Sequence, residues 1–164
     1  MFKTYIFDID NTICDTWPTL NVKKENLLVR FLTECWRVSV LPSFQNMIKC
    51  LKVRKYRENC DVYFLSARHW SLWLPTYIYL IRTTGLIQPN HLILVPNAIK
   101  KVEEIEKFLI LNKNNLVIVD DLSYNTEFGE TLYYTDVINY IYSKKCRIKY
   151  IGKKKIDAIN RINY

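Results

Sequence analysis

Glycine is scarce in this chain, three residues in 164, and no Gly/Ser-rich, low-complexity or repeated segment occurs, so nothing marks an interdomain linker. No apolar run reaches the roughly 18 residues of a spanning helix, and no charged n-region precedes an apolar stretch at the N-terminus. The chain therefore reads as unexported, without membrane contact, and cytoplasmic. Its five cysteines, Cys14, Cys35, Cys50, Cys60 and Cys146, are odd in number, scattered and never spaced CxxC. That argues against a zinc site or a disulfide framework and for reduced thiols. His69 and His91 lack metal-ligand spacing and read as incidental. The absence of any GxxxxGK[ST] stretch argues against ATP-dependent phosphorylation by a phosphate-binding loop.

What is present suits a single domain over residues 1–164: at 49% apolar residues the chain can bury one core and at most a small insertion. The net charge of +8 favours a polyanionic partner or substrate, because clustered cations concentrate phosphate-bearing molecules nearby. Part of the excess lies in a C-terminal basic segment, 144–164, in Lys144, Lys145, Arg147, Lys149, Lys153, Lys154 and Lys155. Such a run reads first as a solvated tail and second as a nucleic-acid contact.

Along the chain, strand-like and helix-like patterns alternate. Thr4 to Ile9, Val62 to Leu65, Leu92 to Val95 and Leu116 to Val119 are short apolar, largely β-branched or aromatic runs. Asn26 to Trp36, Leu41 to Tyr56 (basic, with Pro42 near its start), Trp70 to Thr84 (stopped by Gly85) and Ile99 to Leu111 carry helical spacing, and Asn112 to Asn115 turns the chain. In that pattern Trp70, Trp73 and Tyr77 read as core rather than as a base-stacking platform. The alternation predicts an α/β fold with right-handed crossovers and a central parallel sheet, whose sites lie at the carboxyl ends of the strands.

Three pieces of sequence arrive at that edge. Asp8 and Asp10 stand two apart after the first strand, where alternation would point both the same way, and their repulsion asks for a cation of the Mg²⁺ kind between them. Ser66 and Arg68 follow the second strand, and Asp120 and Asp121 follow the fourth. Each also has a plainer reading: caps or turns for the aspartates, a surface salt bridge for Arg68.

The order Asp8-x-Asp10-x-Thr12, Ser66-x-Arg68, a lysine opening a helix, then Asp120-Asp121, over residues 4 to about 125, resembles the haloacid dehalogenase-like phosphatase superfamily. The resemblance implies a three-layer Rossmann-like core with a minimal cap, here a flap of about 15–41. It implies Asp8 as the nucleophile that becomes an aspartyl-phosphate, and Asp10 as the acid that protonates the leaving oxygen and the base that activates water. For Mg²⁺ it implies an Asp8 oxygen, the backbone carbonyl of Asp10, and one or both of Asp120 and Asp121. Ser66 and a lysine would stabilise the transferring group, Lys101 fitting the helix pattern better than Lys100. Asn11, Thr12, Ala67, Arg68 and Lys100 fall to substrate binding, Arg68 by its bidentate fork.

One departure is Asn11, which stands where the family usually has glycine; asparagine also tolerates a left-handed turn. The small cap, the charge and the Ser66-x-Arg68 form make the chain similar to the 3′-phosphatase domains of phage-type polynucleotide kinases. The implied activity is a Mg²⁺-dependent phosphomonoesterase acting on a nucleotide or a polynucleotide 3′-phosphate end. The alternatives are a small-molecule 5′-nucleotidase or sugar phosphatase, and a non-catalytic binding module on the same scaffold.

Overall fold

The computed structural model describes residues 3–16, 27–58, 60–111, 116–125 and 131–161. Its centre is a five-stranded sheet built from β1 (Thr4–Phe7), β2 (Asp61–Ala67), β3 (Leu92–Val95), β4 (Leu116–Val119) and β7 (Ile148–Ile151), in the order β3-β2-β1-β4-β7. Every pairing is parallel, with Phe7 opposite Phe64 on one side and opposite Val119 on the other. Between β2 and β4 runs the short β1, every residue of which is buried, as a strand covered on both faces requires.

Alternation divides the core. Tyr5, Phe7, Val62, Phe64, Val117 and Val119 face one layer, where Met47 and Leu51 of α2 (Gln45–Glu58), Tyr79 and Leu80 of α3 (Trp73–Thr84) and Ile156 of α6 (Lys153–Asn160) close over them. Ile6, Leu65, Leu116 and Ile118 face the other, under Ile105, Phe108 and Leu109 of α4 (Lys101–Leu111) and Val137 and Ile141 of α5 (Thr135–Ser143). α1 (Leu27–Val40) packs on α3, and a small antiparallel ribbon, β5 (Ser123–Asn125) with β6 (Thr131–Tyr133), follows β4. Gly85 ends α3 at φ 67°, the left-handed stop its sequence position implies. Among the described residues no helix is long and apolar enough to cross a membrane.

The expected α/β core with a central parallel sheet is present, with four corrections. The 144–164 segment is not a solvated tail: residues 148–151 form the edge strand β7 and Lys153–Asn160 form α6, which buries Ile156. Its lysines mask an apolar skeleton of Ile148, Ile151 and Ile156, and Lys149, exposed on the edge strand, is the charge that discourages pairing with another chain. Pro42 precedes α2 and offers its carbonyl to Asp15 instead of opening the helix. Trp70 is 75% exposed, in a 3₁₀ turn before α3, while Trp73 and Tyr77 stack 4.9 Å apart against the core. β2 runs to Ala67, so Ser66 lies inside the strand. Residues 112–115, where the sequence predicts a turn, and 17–26, part of the predicted flap of 15–41, lie outside the described residues; the rest of that flap is largely α1.

Candidate active site

β1 is the strand from which the sheet order departs in both directions, and the loops after β1 and β4 leave it at a topological switch point. β1 ends at Phe7, so Asp8 and Asp10 are brought near each other by a tight loop and not by strand alternation. The Asp8 amide donates to the Val119 carbonyl at 2.8 Å, which ties that loop to the end of β4. The Ile9 carbonyl gathers the amides of Thr12, Ile13 and Cys14. Asn11 sits at φ 55°, the left-handed conformation expected of it, and its Oδ1 accepts from the Thr16 hydroxyl at 2.6 Å.

Lys101 is the centre of the charge arrangement. Its Nζ donates to Asp8 Oδ1 at 2.8 Å and to Asp120 Oδ2 at 2.7 Å, and all three side chains are about 95% buried. The other Asp120 oxygen accepts the Leu122 amide at 2.9 Å, and Leu122 itself stands at φ 44°, a conformation unfavourable for leucine. Tyr150 donates its hydroxyl to the Asp120 carbonyl at 3.0 Å. The Ser123 hydroxyl donates to Asp121. One oxygen of Asp8 has no hydrogen-bond partner among the described residues.

Carboxylate oxygens of Asp8, Asp120 and Asp121 all lie within 4.8 Å of one another. Three buried carboxylates against one ammonium leave excess negative charge in low dielectric, and the titration behaviour shows it. Burial raises the Asp8 carboxyl well above the usual range, against Lys101 and with the help of Asp120. Burial, then Asp120, pushes Asp121 up to about 7. Desolvation works against the charge on Lys101, but the two aspartates outweigh it and hold the ammonium protonated. A hard divalent cation among these oxygens would relieve the repulsion, and the donor set fits one. Asp10 is outside this cluster by its side chain.

Asp10 belongs to a second arrangement. Arg68 Nε and Nη2 reach its two oxygens at 2.8 and 2.5 Å, and Ser66 donates at 3.1 Å. Thr76 of α3 accepts from Arg68 Nη1 at 3.1 Å, and Cys14 Sγ lies 3.6 Å from Nη2. Burial would raise the Asp10 carboxyl, but the Arg68 charge and the hydrogen bonds from Arg68 and Ser66 prevail and hold it below the usual range. The fork assigned to substrate phosphate thus grips a protein carboxylate. A guanidinium only 5% exposed needs a counter-charge, and Asp10 is within reach.

A pocket of about 390 Å³ brings together Asp8, Asp10, Asn11, Ser66, Ala67, Arg68, Lys101, Asp120 and Asp121. Lys100 is not there: it points to solvent and pairs with Glu103. Nor does Thr12 line the pocket; it is fully buried beneath the loop, its hydroxyl without a hydrogen-bond partner. Arg37, His69, Tyr124 and Tyr134 also line it, and none is singled out for the site by sequence. Tyr134 and Tyr124 pack at 4.9 Å between ring centroids, Tyr124 in β5 and Tyr134 between β6 and α5, and no spacing rule links either to Asp8. His91, incidental in the sequence reading, lies buried against Tyr63, with ring centroids 4.4 Å apart.

No protein-family model and no curated protein matches this sequence. Solved structures do. The class C acid phosphatase from Bacillus anthracis is 18% identical, with a TM-score of 0.54 over 94% of this chain and 68% of that one. The same phosphatase with tungstate bound gives 18%, 0.53 and the same coverage. At that identity the likeness shows the fold alone, an α/β core around a central parallel sheet.

Proposed function

We propose that this protein is a Mg²⁺-dependent phosphomonoesterase that works through an aspartyl-phosphate on Asp8. The observation that supports it is the meeting of Asp8, Lys101, Asp120 and Asp121, from three distant stretches of sequence, in one buried cluster that opens on a pocket. In the first step the unpartnered Asp8 oxygen attacks phosphorus, the ester P–O bond breaks, and the leaving oxygen takes the proton that a protonated Asp10 gives up. In the second, water attacks the same phosphorus, the bond to Asp8 breaks, and inorganic phosphate leaves with Asp8 regenerated.

Lys101 holds the nucleophilic carboxylate in place and offers positive charge where the transferring group gathers negative charge. Asp8, Asp120 and Asp121, with the Asp10 carbonyl, would hold Mg²⁺, which when bound shields the attacking carboxylate from an anionic phosphate. Asp10, kept ionised by Arg68, is set to take a proton from the attacking water. Protonating the leaving group demands that Asp10 first take a proton, which Arg68 opposes, so its assignment rests mainly on the second half-reaction.

The favoured substrate is a polynucleotide 3′-phosphate end or a nucleotide. Net charge of +8 and the resemblance to phage-type 3′-phosphatase domains support this, while Arg68, engaged by Asp10, no longer does. Phosphate release from p-nitrophenyl phosphate, mononucleotides, sugar phosphates and 3′- or 5′-phosphorylated oligonucleotides, by wild type and Asp8→Asn, tests it. We expect activity with Mg²⁺, none with EDTA, none in Asp8→Asn, and the highest kcat/KM on an oligonucleotide end. A preference for mononucleotides or sugar phosphates would make it a small-molecule phosphatase. No turnover and no Mg²⁺ binding would leave a non-catalytic binding module.

A further inference from the structure

Asp121 has a second face. Beside it lies a separate cavity of about 410 Å³, walled by Tyr142, Tyr150 and the lysines Lys153, Lys154 and Lys155. Asp121 lines both cavities. Lys153 is close enough that its charge lowers the Asp121 carboxyl, although its ammonium also pairs with Asp157 at 3.1 Å. Lys154 and Lys155 are exposed and make no ion pair among the described residues. Tyr142 is 58% exposed and stands edge-on to Tyr150, with ring centroids 5.9 Å apart, so one phenol face remains open. Asp121 is the one acidic group on this wall among the described residues.

We propose that this cavity is a second phosphate subsite, which holds the neighbouring nucleotide of a single-stranded polynucleotide whose terminal phosphate lies at Asp8. This rests on the phosphatase reading of the first pocket. Lys154 and Lys155 take the diester phosphate, and the open face of Tyr142 takes the base. Free cations beside an aromatic face are what a single strand needs, since the backbone is held by charge and each base by stacking. A monoester with no second phosphate gains nothing there. The basic segment thereby acts as a folded wall that adjoins the site.

The test is the double variant Lys154→Glu/Lys155→Glu, with Tyr142→Ala beside it. Acidic residues suit the first turn of a helix, so α6 is expected to fold in the double variant. Initial rates are measured on p-nitrophenyl phosphate and on a 3′-phosphorylated oligothymidylate. We expect KM for the oligonucleotide to rise roughly tenfold in each variant, with kcat and both constants for p-nitrophenyl phosphate unchanged. In the double variant the slope of log(kcat/KM) against log[salt] should flatten by about one to two.

Unchanged oligonucleotide constants, or equal losses on both substrates, would overturn the subsite. Should no substrate turn over, the phosphatase reading falls. Fluorescence anisotropy of the labelled oligonucleotide then decides the subsite alone: weaker binding to the double variant sustains it, and equal binding overturns it.

Discussion

Asp10 and Arg68 make a two-pronged contact at the bottom of the pocket, and it is a structural commitment as much as a chemical one. Removing Arg68 leaves a part-buried carboxylate without its counter-charge, at a cost of about 2–4 kcal/mol, the lower end allowing for the access of Asp10 to water. Arg68→Met is therefore expected to lower the denaturant midpoint, and Asp10→Asn in the same chain to recover part of the loss; strictly additive effects would refute the coupling. Lysine at 68 keeps the charge and loses the fork, so it should not restore activity.

His91 carries a second prediction at this scale. Burial lowers its pKa, with Lys55 pushing the same way and Asp61 opposing. The folded state thus binds a proton less readily than the unfolded chain does. Stability is full above the unfolded histidine pKa, about 6.5, and is lost as pH falls through the folded value. Between pH 8 and 5.5 the Tm of wild type should fall more steeply than that of His91→Phe, which keeps a ring against Tyr63. Parallel curves would show that His91 does not contribute.

Among the elements, two glycines carry different burdens. Gly85 stops α3 in the left-handed region, and nothing lies within 4 Å of the place a Cβ would take, so alanine there meets backbone strain and no clash. About 1 kcal/mol should appear as a Tm lower by roughly 2–4 °C. Gly152 has the opposite problem: a Cβ would lie 2.9 Å from the Tyr150 ring. Gly152→Ala should push that ring away and break the hydroxyl contact to the Asp120 carbonyl, loosening the loop that presents Asp120 and Asp121. We expect several-fold weaker Mg²⁺ binding by calorimetry, and Tyr150→Phe should reproduce part of it. An unchanged affinity in both would deny the link.

Across the whole molecule, cation binding and chain completeness both bear on stability. If Mg²⁺ binds the three-carboxylate cluster of the folded state alone, saturation at a hundredfold excess over Kd adds about 2.7 kcal/mol. Tm should then rise by roughly 5–10 °C, and Asp121→Asn should blunt the rise. A Tm indifferent to Mg²⁺ in wild type would refute the metal centre. Removing residues 144–164 would look like trimming a tail, but it strips β7 from the edge of β4 and Ile156 from the core. The truncated chain is expected to lose cooperative unfolding, as circular dichroism would show.

The amino-acid sequence by itself determined what depends on local pattern. The four strands up to Val119, the helices between them and the glycine stop at Gly85 follow from periodicity and turn chemistry within short windows. The arrival of Asp8, Ser66 and Asp120 at one end of the sheet follows from parallel topology, which places every strand's carboxyl end on the same side.

Only the tertiary structure decided which charge meets which. Lys101 reaches Asp8 across 93 positions, and Arg68 reaches Asp10 across 58, separations no spacing rule covers. Lys100 and Lys101 are neighbours in sequence, yet Lys100, in the turn before α4, pairs with Glu103 at the surface, while Lys101, the first residue of the helix, reaches into the cluster. The lysine-rich C-terminal segment became strand and helix because Ile148, Ile151 and Ile156 find apolar partners that exist only once the sheet has formed. Burial is a property of the assembled fold, and it converted a pair of short acidic motifs into a cluster whose charges must be balanced.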